Sequence, residues 1–94
     1  MESDMKIKNG FVLEQVGTGY LAVAVGERAR DFSGLVRMNS TGAFLWNLLA
    51  ETDMTREELL SKVMTEYEGV TEEQALKDIT AFEEKLRENG IIEG

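Results

Sequence analysis

The chain contains no cysteine, no histidine and no proline among its 94 residues. The first two absences exclude disulfides, zinc sites built from cysteine and histidine, cysteine nucleophiles and histidine-based acid–base catalysis. The sequence also lacks the basic and apolar stretches of a secretory signal, and no apolar run approaches the roughly 20 residues of a membrane-spanning helix. We therefore expect a cytoplasmic protein that has no cofactor, no bound metal, no membrane segment and no catalytic activity.

Positive charge is also scarce, because the chain has 10 basic and 18 acidic residues and a net charge of −8. Proteins that bind nucleic acid neutralise phosphates with lysine and arginine, so this balance predicts that nucleic acid is not the partner. The middle of the chain is the exception, with Arg28, Arg30 and Arg37 in a short span. These three side chains could attract an acidic partner, or they could be ordinary solvated charges.

The order of the predicted elements indicates one domain over residues 6–94, preceded by a disordered tail at residues 1–5. Two apolar, β-branched runs at residues 11–16 and 20–25 predict a hairpin with a three-residue loop, and residues 34–38 predict a third strand. Residues 26–33 between them are expected to be a polar connection.

Three helices follow, and each begins at a residue that favours a helix N-cap. Asn39 precedes a helix at residues 40–50, Thr55 begins a capping box with Glu58, and Thr71 opens the last helix. The last helix carries an apolar stripe at the spacing of one helical face, which consists of Ala75, Ile79, Phe82 and Leu86. The order predicts an α+β, winged-helix-like fold in which a three-stranded antiparallel sheet is followed by a three-helix bundle. Such a small sheet has free edges.

The segment at residues 38–49 reads Met-Asn-Ser-Thr-Gly-Ala-Phe-Leu-Trp-Asn-Leu-Leu. It resembles the segment L-N-E-T-G-A-x-I-W-x-L-L of PqqD-like proteins, the PQQ-synthesis protein D family that is also called RiPP recognition elements. Further similarities follow in the family's order, at residues 55–59 (T-x-x-E-[IL]), 63–67 (L-x-x-x-Y), 78–82 (D-[VI]-x-x-F) and 89–92 (x-G-[LI]-[IL]). The resemblance covers about residues 8–92.

The resemblance implies a non-catalytic adaptor that binds the leader segment of a ribosomally made precursor peptide and presents it to a radical-SAM-type maturase. It also implies that the leader is added as a strand to the third strand and lies between that strand and the last helix. The implied site residues are Leu35, Val36, Arg37, Met38, Ile79, Phe82, Glu83 and Leu86. Arg28 and Arg30 join this candidate site through their charge. The sequence leaves open whether Val36 and Met38, or Leu35 and Arg37, line the groove.

The family's PQQ-pathway members carry a proline before the third strand, whereas residues 26–33 of this chain contain none. This departure favours a relative that serves another peptide.

Two other functions fit the same architecture. The first is a winged-helix DNA-binding regulator, although residues 72–88 of its recognition helix carry six acids against three bases. The second is a homodimerising domain in which a second copy occupies the free edge. A monomer and a weak homodimer are both compatible with the sequence.

Overall fold

The computed structural model of the protein describes residues 5–31 and 36–93. Its strands are β1 (Lys6–Ile7), β2 (Phe11–Val16), β3 (Gly19–Ala24), β4 (Val36–Met38) and β5 (Ile92–Glu93). Its helices are α1 (Arg28–Asp31), α2 (Ser40–Glu51), α3 (Arg56–Glu66) and α4 (Glu72–Glu88). Strands β2, β3 and β4 form an antiparallel sheet in that order, and the three long helices follow it along the chain. The predicted α+β fold class is confirmed.

The β2–β3 hairpin has a two-residue loop of Gly17 and Thr18, one residue shorter than the sequence predicts. Gly17 has a φ of 63°, whereas no described residue other than glycine has a positive φ. Glycine at the first loop position with positive φ is typical of the type II′ turn, whose twist matches that of the flanking strands. The hairpin therefore closes directly on the pair formed by Val16 and Gly19.

All three predicted N-caps are confirmed by hydrogen bonds from the first turn of each helix. The side chain of Asn39 accepts from the N–H of Gly42 at 2.8 Å. The side chain of Thr55 accepts from the N–H of Glu58, and that of Thr71 from the N–H of Gln74, both at 3.1 Å. The Glu58 carboxylate also accepts from the Thr55 backbone N–H at 3.1 Å, which completes the predicted capping box.

The end of α4 is a Schellman motif, as Gly90 and Ile91 predict. Gly90 has a φ of 69° and its N–H donates to the carbonyl of Arg87, while the N–H of Ile91 donates to the carbonyl of Leu86 at 2.8 Å. The left-handed conformation at Gly90 turns the chain back onto the core, where Ile91 is fully buried.

Three features near the chain ends and in the predicted connection differ from the sequence-based expectation. Met5, expected in a disordered tail, is buried, and its N–H donates to the carbonyl of Met54 at 2.7 Å. Strands β1 and β5 pair with each other, and α1 is a helical turn inside the predicted connection. The contacts of Met5 and of β1 with β5 join residues far apart in sequence, so no local pattern marks them. Residues 1–4 and 32–35 lie outside the described residues.

The core lies between the inner face of the sheet and the long helices. Its largest fully buried side chains are Leu45, Leu59, Val63, Ile79, Leu86 and Ile91. On the outer face of the sheet, Val16 is 57% exposed. None of the helices in the described ranges combines the length and apolar character needed to cross a bilayer.

Candidate functional site

The hydrogen-bond pattern of the hairpin determines which backbone groups of β3 turn away from β2. In a two-residue hairpin the closing pair, here Val16 and Gly19, is hydrogen-bonded, and hydrogen-bonded pairs then alternate with non-bonded ones. The bond from the N–H of Val25 to the carbonyl of Gly10, at 2.8 Å, follows the same alternation at the other end. Residues 19, 21 and 23 of β3 therefore bond β2, and residues 20, 22 and 24 turn toward β4.

Strand β4 lies at the edge of the sheet, and Arg37 is its outward-facing residue. Tyr20 pairs with Met38 and Ala22 pairs with Val36, so the ladder between β3 and β4 uses the backbone groups of those residues. Arg37 lies opposite Leu21 in a non-bonded pair. Its N–H and C=O groups consequently point away from β3, toward the space beside the sheet.

Helix α4 borders this space. The Nζ atom of Lys85 donates to the outward carbonyl of Arg37 at 2.9 Å, a contact between residues 48 positions apart. Beside it lies a groove of about 120 Å³. The residues that line this groove are Met38, Asn39, Thr41, Gly42, Asp78, Ala81, Phe82 and Lys85. The volume suits an apolar side chain and falls below the roughly 300–1,000 Å³ of sites for small molecules.

Gly42 permits this arrangement at the start of α2. A Cβ atom at this position would lie 3.2 Å from the Cβ of Met38 and 3.4 Å from the Oδ1 of Asn39. Because glycine has no Cβ, the first turn of α2 approaches the end of β4 closely. The sequence element that caps α2 therefore also shapes one wall of the groove.

The structure brings three of the predicted site residues together, namely Arg37, Met38 and Phe82. Met38 and Phe82 line the groove, and Arg37 contributes its outward backbone while its side chain is exposed on the other face of the sheet. Val36 belongs to the core, and its backbone pairs with Ala22. Leu35 lies outside the described residues. Of the two open alternatives, Met38 is thus on the groove side and Arg37 is not.

The helix residues Ile79 and Leu86 are placed differently from Phe82. Both are 0% exposed, and neither lines the groove. They share the core-facing stripe of α4, while Asp78, Ala81 and Lys85 form a second stripe along the neighbouring face. The sequence-based site included none of these three. Their spacing of three and four residues beside the apolar stripe was the signal that could have identified them.

Glu83, another predicted site residue, lies between α3 and α4 and does not line the groove. It is 6% exposed. Its Oε1 accepts from Arg56 at 2.7 Å and its Oε2 accepts from Arg87 at 2.7 Å. Burial alone would raise the pKa of Glu83, but the hydrogen bonds and charges of Arg87 and Arg56 outweigh it and hold the pKa below its usual 4.5.

We expect Glu83→Gln to lower the free energy of unfolding by about 1 kcal/mol at pH 7, because both arginines are nearly half exposed and solvent screens the pairs. A lowered folded-state pKa stabilises the fold above the unfolded-state pKa, and this contribution is lost as the pH falls through the folded-state value. Urea unfolding from pH 7 to pH 3 should show the difference between the two proteins shrinking below about pH 4.5. A difference that is constant with pH would contradict this assignment.

Arg28 and Arg30 are on α1, and neither lines the groove. The Arg28 guanidinium lies over the ring of Phe11, 5.5 Å from its centroid, and its Nε donates to the carbonyl of Asn9. Gly10 makes room for this contact, because a Cβ there would lie 2.7 Å from the Cβ of Arg28. The arginine therefore anchors α1 to the start of β2.

The groove carries charges of opposite sign on α4, at Asp78 and at Lys85. The Oδ1 of Asp78 accepts from the Nε2 of Gln74 at 3.0 Å, and Lys85 lies next to β4. Within residues 5–31 and 36–93, no group of three or more acidic side chains is placed to hold a metal ion. The site thus offers backbone hydrogen bonds, two charges and a groove whose apolar walls are Met38, Ala81 and Phe82.

Comparisons with known proteins show the family and the fold of this chain. The family model described as Coenzyme PQQ synthesis protein D (PqqD) matches residues 12–92. A comparison with curated proteins finds no significant sequence match.

Two solved structures share the fold. One is TbiB1 in complex with the TbiA(beta) leader peptide, with a TM-score of 0.71 and 20% identity over 95% of each chain. Another is lasso peptide synthetase B1 complexed with the leader peptide, with a TM-score of 0.70 and 22% identity over 98% of this chain and 100% of that one. The two structures show the fold, and the family match over residues 12–92 establishes that this chain belongs to the PqqD family.

Proposed function

We propose that this protein is a non-catalytic adaptor that binds the leader segment of a ribosomally synthesised precursor peptide. The leader is added as a strand along the outer edge of β4, and its side chains enter the groove beside α4. The observation that carries this proposal is the outward backbone of Arg37 next to the apolar walls formed by Met38 and Phe82. Strand addition uses such an edge for affinity and the neighbouring pockets for specificity.

The energetics require both parts of the site. Within β4, Arg37 offers two outward backbone groups, and two hydrogen bonds contribute about 1–3 kcal/mol together. A micromolar complex requires about −8 kcal/mol. Burying one apolar side chain supplies about 1.5–3 kcal/mol more. The bound segment therefore extends beyond the pocket and makes further contacts along α4.

The proposed role places the protein beside a modifying enzyme in the cytoplasm, where ribosomal peptides are made. A radical-SAM-type maturase is the proposed enzyme, on the basis of family membership. The absence of cysteine and histidine supports presentation of the peptide, with the chemistry carried out by the enzyme. The missing proline in residues 26–33 supports a pathway other than that of PQQ.

We expect the synthetic leader of the short precursor gene nearest to this protein's gene to bind with a micromolar or lower Kd in titration calorimetry. Amide exchange measured by NMR should slow at Arg37 on binding. The amides of Val36 and Met38 should change little, because they already face β3. A scrambled leader is the control. Equal binding of the scrambled peptide, or unchanged exchange at Arg37, would contradict the proposal.

The same free edge supports homodimerisation as the second candidate function, with β4 of a second copy in place of the leader. Sedimentation velocity with and without the leader separates the two, since a leader that competes for the edge converts dimer to monomer. DNA binding has weaker support, because α4 exposes acidic side chains that repel phosphate.

A further inference from the structure

We propose that Lys85 guards the free edge of β4 against a second copy of the chain and selects leaders that carry a carboxylate next to that edge. This inference rests on the proposed function and specifies the chemistry of its peptide. It starts from the hydrogen bond between the Nζ of Lys85 and the outward carbonyl of Arg37.

The Lys85 ammonium has donors to spare. It carries three N–H groups, and the bond to Arg37 uses one of them. Both ion pairs within residues 5–31 and 36–93 go to Glu83, and neither involves Lys85. Ala81 and Asn89 lie four residues away along the chain, and Glu88, three residues away, forms no ion pair with Lys85. The Lys85 ammonium therefore keeps N–H donors for a bound peptide.

Guarding follows from the position of this charge at the sheet edge. If two copies paired through β4 about a two-fold axis, the Lys85 side chain of each copy would approach the other at the shared edge. Like charges disfavour such a pair, and lysine at strand edges is a common protection against edge-to-edge association.

Selection follows when a leader takes the edge. Its backbone N–H approaches the Arg37 carbonyl, so a side chain of the same segment lies within reach of the ammonium. Because the protein carries a net charge of −8, a long acidic run is repelled, whereas a single carboxylate at this point gains a charge-assisted hydrogen bond.

The negative charge of Asp78 determines at which end of the groove an acidic residue of the peptide is favoured. Asp78 precedes Lys85 by seven residues on α4, which corresponds to about 10.5 Å along the helix axis. An extended peptide covers this distance in about three residues. The preferred segment thus has a carboxylate beside Lys85 and an apolar side chain over Met38 and Phe82. It has no acidic residue about three positions from that carboxylate, where Asp78 would repel it.

The preference for a carboxylate can be tested by selecting binders from a display library of random 12-residue peptides. Three forms of the full chain serve as the target. The forms are the wild type, Lys85→Met and Lys77→Met, an exposed lysine on the same helix that lies outside the groove. Both substitutions remove one positive charge, so both variants change from −8 to −9. We expect wild type and Lys77→Met to enrich aspartate or glutamate at one fixed position relative to an apolar residue. Lys85→Met should lose this enrichment.

Replacing that glutamate by glutamine in a wild-type-selected peptide should weaken its binding to the wild type about tenfold, as expected for a hydrogen bond between charged groups. The same replacement should leave its binding to Lys85→Met unchanged. Sedimentation without peptide tests guarding: Lys85→Met should dimerise at a concentration at least about tenfold lower than Lys77→Met, because the edge charge is gone.

The outcomes separate this inference from the proposed function. If no form enriches any peptide, the adaptor function itself is contradicted and the selection with it. If peptides are enriched and Lys85→Met keeps the same acidic position, selection by Lys85 is overturned while the adaptor function stands. If Lys85→Met and Lys77→Met have the same sedimentation behaviour, guarding is overturned.

Discussion

Arg37→Pro is expected to weaken leader binding by at least about tenfold while the protein stays folded. Proline removes the outward N–H of residue 37 and places its ring where the added strand would lie. The lost bond leaves a carbonyl of the peptide without its donor, which costs about 1–3 kcal/mol, and the ring prevents close approach. The ladder with β3 is retained, because it uses the backbone of Val36 and Met38. Titration calorimetry with the synthetic leader measures the loss, and circular dichroism checks the fold.

Two matched variants make this prediction specific to the backbone. Arg37→Ala removes the exposed side chain and keeps the N–H, so we expect it to bind within about threefold of the wild type, as for an exposed charge. Val36→Pro removes an N–H that faces Ala22 in the ladder and should destabilise the fold itself. Equal losses from Arg37→Ala and Arg37→Pro would show that the side chain, and not the strand edge, binds the peptide.

Ile79→Ala is expected to lower the free energy of unfolding by about 2–5 kcal/mol, the range for truncating a fully buried isoleucine. A domain of 94 residues has a total stability of about 5–14 kcal/mol, so this loss is a large fraction of it. Urea unfolding followed by circular dichroism measures the change. The same protein should bind leader normally under conditions where it is folded, because Ile79 does not line the groove.

Ile79→Val is the graded control and should cost about 0.5–1.5 kcal/mol, since it removes a single methyl group. Phe82→Ala should differ from both in weakening leader binding as well as stability, because this ring is part of the groove wall. If Ile79→Ala lowered the free energy of unfolding by less than about 1 kcal/mol and also weakened leader binding, Ile79 would be a residue of the peptide site.

Glu83 shows why a helical stripe cannot separate a binding face from a packing face. The resemblance implied that the flank from Ile79 to Leu86, with Glu83 in it, borders the peptide, yet a step of one residue turns a side chain about 100° around a helix. The partner that decides its role, Arg56, is 27 residues away on α3. Lys85 is the converse case, because its contact with Arg37 spans 48 residues and has no local signature.

Features that depend on neighbouring residues were predictable from the sequence alone. The caps at Asn39, Thr55 and Thr71, the Schellman stop at Gly90, the apolar stripe of α4 and the α+β class were all visible in local patterns. Such features depend on hydrogen bonds and packing within one or two turns, so residue types and spacing suffice to predict them.

Which backbone groups face outward, and which charge lies beside them, depends on contacts between distant residues in the folded chain. Because successive residues of a strand alternate in direction, one residue more or less in the loop at Gly17 exchanges the inward and outward sets along the hairpin. The sequence predicted a three-residue loop, whereas the two-residue loop, together with the pairing of Tyr20 with Met38, points the backbone groups of Arg37 outward. Pairing of β1 with β5, burial of Met5 and the reach of Lys85 to β4 likewise depend on the folded chain bringing distant residues together.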